Sequence, residues 1–298
     1  MKSASVIAAV GAVAVVSAHP ALEVRTSPPI ADITILNFAL TLEHLEDAFY
    51  KLGLQRYSQR DFDNEGLPAG TREQFVQISQ HESAHVAFVE GLLSDKATKP
   101  CTYKFPIHDA KSFSALAQVF ENVGVGAYTG ATSSLSKQYI TGSASILGTE
   151  ARQAALIAGY VNGVEGWGNA FNIPLTMSQA YTLAAPFIFS CPSSNPRLPV
   201  QVFPALTFPA NANPGDTVSV QFKTRLPQST KLFAVFLFGL GQQVVPIRNG
   251  KVTIPRNLAG QVYAIISTSS TGATDRSTVA GPALLQFEYS LTGQYIPA

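Results

Sequence analysis

The sequence predicts an α+β chain of two domains, a four-helix bundle followed by an immunoglobulin-like β-sandwich. Three observations lead there. Apolar residues recur at helical spacing from Asp32 to about Trp167, they alternate with polar ones in short runs from about Leu198 onward, and the Pro- and Ser-rich stretch "SCPSSNPRLP" separates the two regimes. At 298 residues the chain is long enough for each domain to bury its own core.

The first eighteen residues carry Lys2, an apolar run from Val6 to Val16 and a small-residue cleavage site at Val16-Ser17-Ala18, and are expected to be a secretory signal peptide (1–18). The bundle domain is expected over 30–190, with long helices near 32–57, 71–94, 111–137 and 144–168 and a short helical piece near 176–185. The first and last inter-helix connections are short, which suits antiparallel neighbours. The middle one, "SDKATKPCTYKFPIHDA", is seventeen residues. Extended at about 3.3 Å each it covers roughly 55 Å, more than the ~36 Å of a 24-residue helix, so it can cross over along the whole bundle. The sandwich domain is expected over 199–298. Its strand-like runs are "TVSVQFKT", "KLFAVFLFG", "QQVVPIRNGKVTIP", "GQVYAIISTSS" and "ALLQFEYS", with Asn249-Gly250 suited to a tight hairpin turn.

A net charge of +1 with 13% charged residues, and no Lys/Arg cluster, excludes the electrostatic footprint of a nucleic-acid binder. No segment after the signal is apolar over a membrane-spanning length. In an exported chain the two cysteines, Cys101 and Cys191, are expected to form one disulfide that ties the crossover to the exit from the bundle.

The string "HESAH" (residues 81–85) has two readings. As His-Glu-x-x-His it fits a zinc peptidase, with His81 and His85 on the metal; as Glu82-x-x-His85 it fits half of a metal site inside a helical bundle. Placing residues at 100° steps discriminates between them. In the second helix Phe75, Ile78, Val86, Val89, Leu92 and Leu93 define the apolar arc. Glu82 and His85 straddle its centre, and His81 lies at its edge. The fourth helix repeats this with Glu150 and Gln153 among Ile146, Leu156, Ile157, Tyr160, Val161 and Val164. Glu43 flanks the apolar face of the first helix, with Tyr50 seven residues on and Glu46 on the same face; Glu121 and Tyr128 repeat that interval in the third. Carboxylates converging in an apolar core repel one another and hold protons unless a cation intervenes. Two divalent ions would match four carboxylates in charge, and periodic Glu in all four helices is unexplained by a peptidase. Tyr50 and Tyr128 are expected to be core aromatics whose hydroxyls bond a ligand carboxylate, and Glu46 to lie beside the ligands. His44 and His108 are expected at surface or loop positions, and "GVGAYTG" is expected to pack helices.

The blocks "ILNFALTLEHLEDAFYKLGL", "QHESAHVAFVEGLL", "FENVGVGAYTGAT" and "ILGTEARQAALI" together resemble the fungal and bacterial secreted ferritin-like proteins known as stress-response, desiccation-related or late-sexual-development proteins. The resemblance covers about residues 30–190. It implies Glu43, Glu82, His85, Glu121 and Glu150 as ligands to one or two ions of iron or manganese, with ferroxidase or peroxide-consuming chemistry in stress protection. Gln153 stands where the family has a second His, and a neutral amide is a poorer ligand for iron than imidazole. The alternative reading is a metal-poor scaffold whose acids pair with one another or with Arg152, and whose C-terminal domain contacts the cell wall, a polysaccharide or another protein.

Overall fold

The structure, a computed structural model, describes residues 30–227 and 229–297; the expected signal peptide lies outside the described residues. The helices are α1 (Ile30–Arg56), α2 (Gln59–Asn64), α3 (Thr71–Leu93), α4 (Ala110–Ala131), α5 (Lys137–Leu156) and α6 (Met177–Ala184). α1 and α3 run antiparallel, as three contacts along their length require. His44 meets Glu90, Ser83 donates to Asp47 at 2.6 Å, and Arg72 donates to the carbonyl of Leu54 at 3.0 Å. α4 and the end of α5 are likewise antiparallel: Ser114 donates to Asn162, which in turn donates to Gln118, while Gly124 lies against Glu150.

The connection between α3 and α4 crosses the length of the bundle. It is tied to α1 near one end, where Thr98 N–H donates to Asn37 at 2.7 Å, and near the other, where Arg56 donates to the Ile107 carbonyl at 3.1 Å. From Asn37 to Arg56 the helix rises about 28 Å. Midway, β1 (Thr102–Tyr103) pairs antiparallel with β2 (Ile188–Ser190) and the Cys101–Cys191 disulfide closes the junction. α4 then starts cleanly because Asp109 caps it, accepting from Ser112 N–H at 2.6 Å while the Ser112 hydroxyl accepts from Asp109 N–H. Its first turns bury Phe113 completely, against Phe49 and Phe75 with ring centroids 4.8 and 4.9 Å away. Gly53 on α1 leaves the space that ring fills. Burying such a side chain is worth about 1.5–3 kcal/mol.

Three helix ends differ by several residues from the sequence expectation. α4 ends at Ala131, six residues before the expected end, and α5 begins at Lys137 instead of 144. The turn between them is pinned by the buried Asp32, whose carboxylate accepts from Ser136 N–H at 2.9 Å. The fourth helix stops at Val161 and not 168, after a π-helical turn over Ile157–Val161, because Gly163 then takes φ +70°.

The C-terminal region is antiparallel β. Its strands are β3 (Leu206–Thr207), β4 (Thr217–Ser219), β5 (Gln221–Phe222), β6 (Phe233–Phe238), β7 (Gly241–Pro246), β8 (Lys251–Thr253), β9 (Gly260–Ser267) and β10 (Thr278–Phe287). One sheet has the order β10-β9-β6-β7, accompanied by the ribbons β3–β5 and β4–β8. Asn249 (φ 52°) and Gly250 (φ 71°) form a two-residue turn in which Arg248 and Lys251 exchange backbone hydrogen bonds, as a type I′ hairpin demands. The unbroken apolar runs of β6 and β9 follow from burial on both faces. Ala234, Phe236, Val262, Ala264 and Ile266 fill the β core, whereas Tyr263 and Leu237 pack into the helical core.

Candidate metal centre

Four helices bring polar side chains to the middle of the bundle. α1 supplies Glu43, Glu46 and Tyr50, α3 supplies Glu82 and His85, α4 supplies Glu121 and Tyr128, and α5 supplies Glu150 and Gln153. Spacings of three, four and seven hold each set on one helix face. Glu43, Glu82, Glu121 and Glu150 have no solvent exposure and Glu46 only 3%.

The imidazole of His85 sits among carboxylates from three helices. Its Nδ1 lies 3.2 Å from Glu82 Oε2, 3.3 Å from Glu43 Oε2 and 3.4 Å from Glu150 Oε1. One ligand atom from each of these four residues lies within 4.8 Å of every other. Two tyrosines brace the surroundings reciprocally: Tyr50 of α1 donates to Glu121 of α4, and Tyr128 of α4 donates to Glu43 of α1. Gln153 donates through Nε2 to Glu82 Oε1 at 2.8 Å, so its amide nitrogen orients a carboxylate. Glu121 does not join the group of four, and Glu46 reaches toward Glu150 across Gly124.

Burial and mutual repulsion leave this cluster proton-rich when no cation is present. Burial, then neighbouring carboxylates, push Glu46, Glu121 and Glu150 well above the ordinary Glu value, and burial also raises Glu82. Burial pulls the His85 imidazole down, but the surrounding carboxylates of Glu150, Glu43 and Glu82 outweigh it and hold it at about 12. The sign of the pH dependence follows. Above the ordinary Glu value of 4.5, the folded chain binds more protons than the unfolded one at these carboxylates, and above 6.5 also at His85. Stability these groups confer at low pH is therefore lost as pH rises. His44, lowered chiefly by burial, works the other way but only below 6.5, and Asp61 and Asp109, held low by their Ser partners, act below 3.8. The melting temperature of chelator-treated protein is expected to fall from about pH 5 to about pH 8, and a rise across that interval would contradict this assignment.

The residues fit a divalent cation. Glu43 Oε2, Glu121 Oε2 and both oxygens of Glu150 are buried without a hydrogen-bond partner among the described residues, a costly arrangement that a cation resolves. Three carboxylates and one imidazole nitrogen form a hard-to-borderline donor set that suits iron and manganese. Gly124 makes room for it. A Cβ at Gly124 would collide with Glu150 Oε2 and lie 3.2 Å from Glu46 Oε1. Gly124→Ala is therefore expected to destabilise the protein by about 1–3 kcal/mol, read from urea midpoints, and to weaken metal affinity as Glu150 is displaced.

This geometry decides how HESAH is used. His81 is exposed and outside the group of four, so the string contributes Glu82-x-x-His85 and the first His of a peptidase motif is not at the centre. Arg152 is also outside; it donates to Thr149 on the exposed side of α5. His108 lies in an exposed loop as expected, but His44 does not. It is 5% exposed, with Nε2 3.2 Å from the Thr98 carbonyl, because the crossover folds over it. Sequence reasoning placed "GVGAYTG" as packing glycine; Gly126 and Gly130 do admit the Leu175 segment, but the role of Gly124 beside the carboxylates was missed. Its signal was a glycine one helical turn from Glu121.

A helical bundle with a crossover between its second and third long helices and an interior carboxylate-histidine cluster defines a ferritin-like domain. Residues 31–163 match the ferritin-like domain family. The chain is similar to Protein rds1 of Schizosaccharomyces pombe, 31% identical over 183 residues that cover 59% of this chain and 44% of rds1, so it spans less than half of that relative's length. Among solved structures it is similar to rv2844, a conserved hypothetical protein from Mycobacterium tuberculosis, at 21% identity over 43% of this chain and 87% of that one, with a TM-score of 0.36.

Proposed function

We propose that the bundle binds a divalent transition-metal ion, iron or manganese, through Glu43, Glu82, His85 and Glu150, in a protein that is exported. The reading rests on one observation: carboxylate oxygens of Glu43, Glu82 and Glu150, from three helices, surround a single imidazole nitrogen in a buried centre, and those of Glu43 and Glu150 have no hydrogen-bond partner among the described residues. A bound iron ion would supply ferroxidase or peroxide-consuming chemistry there, the basis of a role in stress protection. The chain's own residues hold and orient. Tyr128 fixes Glu43, Gln153 fixes Glu82, and His85 gives up its Nδ1 proton to ligate. Glu121, held by Tyr50, and Glu46 stand ready beside Glu150 as the acids of a second, weaker position, since Gln153 replaces the imidazole that would complete it.

The disulfide supports passage through an oxidising compartment; no described helix is long and apolar enough to cross a membrane. We read 30–190 and 199–298 as two domains. An immunoglobulin-like sandwich is supported by Leu206, Val220 and Val252 packing in one core with the inward face of β6 and β9.

Metal analysis of protein purified without added metal, and after anaerobic reconstitution with ferrous iron, tests the function. Stoichiometric metal in the wild type that is lost in both Glu82→Ala and Glu150→Ala is expected. No metal under either condition would overturn the proposal.

A further inference from the structure

A second cavity, remote in chemistry from the carboxylate cluster, lies where the bundle meets the β sheet. It has a volume of about 190 Å³ and is walled on one side by α4, α5 and the π-helical turn, and on the other by β9, β10 and the loop from Val164 to Ile173. Small side chains create it. Ala151, Ala154, Ala155 and Ala158 face it from the helical side, where larger residues would close the gap.

The chemistry of the walls is selective. Among the described residues no Lys, Arg or His lines the cavity, and two carboxylates do, Glu165 and Glu288, which disfavour an anionic ligand. Amides dominate the polar surface. Gln261 and Gln286 are directly paired across β9 and β10, placing both side chains on the sheet face that meets the bundle. The Oε1 atom of each is buried without a hydrogen-bond partner among the described residues. Asn122 and Asn172 add further amides from the helical side and the loop. Two unpaired acceptors side by side ask for a ligand that donates repeatedly. Trp167 and Phe171 also line the cavity yet are 62% and 61% exposed, flat apolar faces at its opening. Glu165 is positioned and not free to roam, since Gly168 N–H donates to its Oε2 at 2.8 Å.

We propose that this cavity binds a neutral polyhydroxylated ligand, a sugar or the end of a glycan. Ring hydroxyls would donate to Gln261, Gln286 and the two carboxylates and accept from the Asn amides, while an apolar sugar face lies against Trp167. The cavity sits at the junction of two structural regions, a common place for small-molecule sites. It is independent of metal in the bundle.

Trp167 is the only tryptophan of the chain and reports directly on the cavity. Full-length protein is titrated with glucose, N-acetylglucosamine and their β-linked trisaccharides, with calorimetry beside Trp167 emission. A saturable emission change is expected with at least one of these probes, with affinity reduced roughly tenfold in Gln286→Leu and in Gln261→Leu. Gln286→Leu replaces an unpaired buried acceptor with an apolar group of similar volume and is expected to fold with a wild-type melting temperature or better, whereas Gln261→Leu also loses the hydrogen bond that Gln261 donates to Tyr263 and is expected to melt lower. No saturable change with any probe in the wild type would overturn the proposal. So would binding that both variants leave unaltered, or a saturable response to calcium or a diamine in place of the sugars.

Discussion

Glu150→Leu is expected to make the metal-free protein more stable, by about 1–4 kcal/mol, while abolishing its response to metal. Glu150 is fully buried, neither of its oxygens has a hydrogen-bond partner, and its nearest positive group, His85, is shared with two other carboxylates. Removing it relieves repulsion on Glu82 and Glu43 and replaces a desolvated acid with an apolar side chain of similar size, next to Gly124, where no Cβ competes for the space. In the presence of a tightly bound ion the order reverses. At a free metal concentration about 100 times the dissociation constant the wild type gains about 2.7 kcal/mol that the variant cannot. Urea unfolding in chelator and in manganese measures both halves. A variant less stable than wild type in chelator would mean that Glu150 is stabilising without a cation, contrary to this account.

Losing the Cys101–Cys191 bridge is expected to cost about 4–5 kcal/mol, the loop-closure entropy for a sequence separation of 90. The bridge fastens the crossover to the chain leaving α6, next to the short β1–β2 pairing, and the crossover in turn covers His44 and anchors to Asn37 and Arg56. Two residues of strand cannot hold that junction alone. The double variant Cys101→Ser/Cys191→Ser should therefore unfold at lower urea than the oxidised parent, and amide exchange at Thr102 and Tyr103 should rise before that of α3. A loss under about 1 kcal/mol would show that the crossover is held by its other contacts.

Much of the centre is legible in the sequence because helical periodicity is local. Glu82, His85, Glu150 and Gln153 fall within an apolar arc and Glu43 and Glu121 flank one, so their burial can be read one helix at a time. What periodicity cannot give is the partner across the bundle. The seven-residue Glu-Tyr interval shows that tyrosine hydroxyls meet carboxylates, but not that Tyr50 serves Glu121 and Tyr128 serves Glu43. Glu121 resembles the other acids in sequence and yet stands outside the group of four, for the same reason. The early end of α4 depends on Asp32, more than a hundred residues away in sequence, reaching Ser136. The burial of His44 depends on where the crossover lies. In the β region the runs of β6 and β9 are apolar on both faces, so alternation is weak there and only the Asn249-Gly250 turn marks a register directly. The amide-lined cavity has no local signature, since its walls come from helices, a loop and two strands.

The most direct test is anomalous diffraction from crystals of the protein soaked in manganese. A single strong peak within bonding distance of Glu43, Glu82, His85 and Glu150, vanishing in Glu82→Ala crystals, is the expected result. Full-occupancy manganese bound elsewhere on the chain, with nothing between those four side chains, would contradict the account.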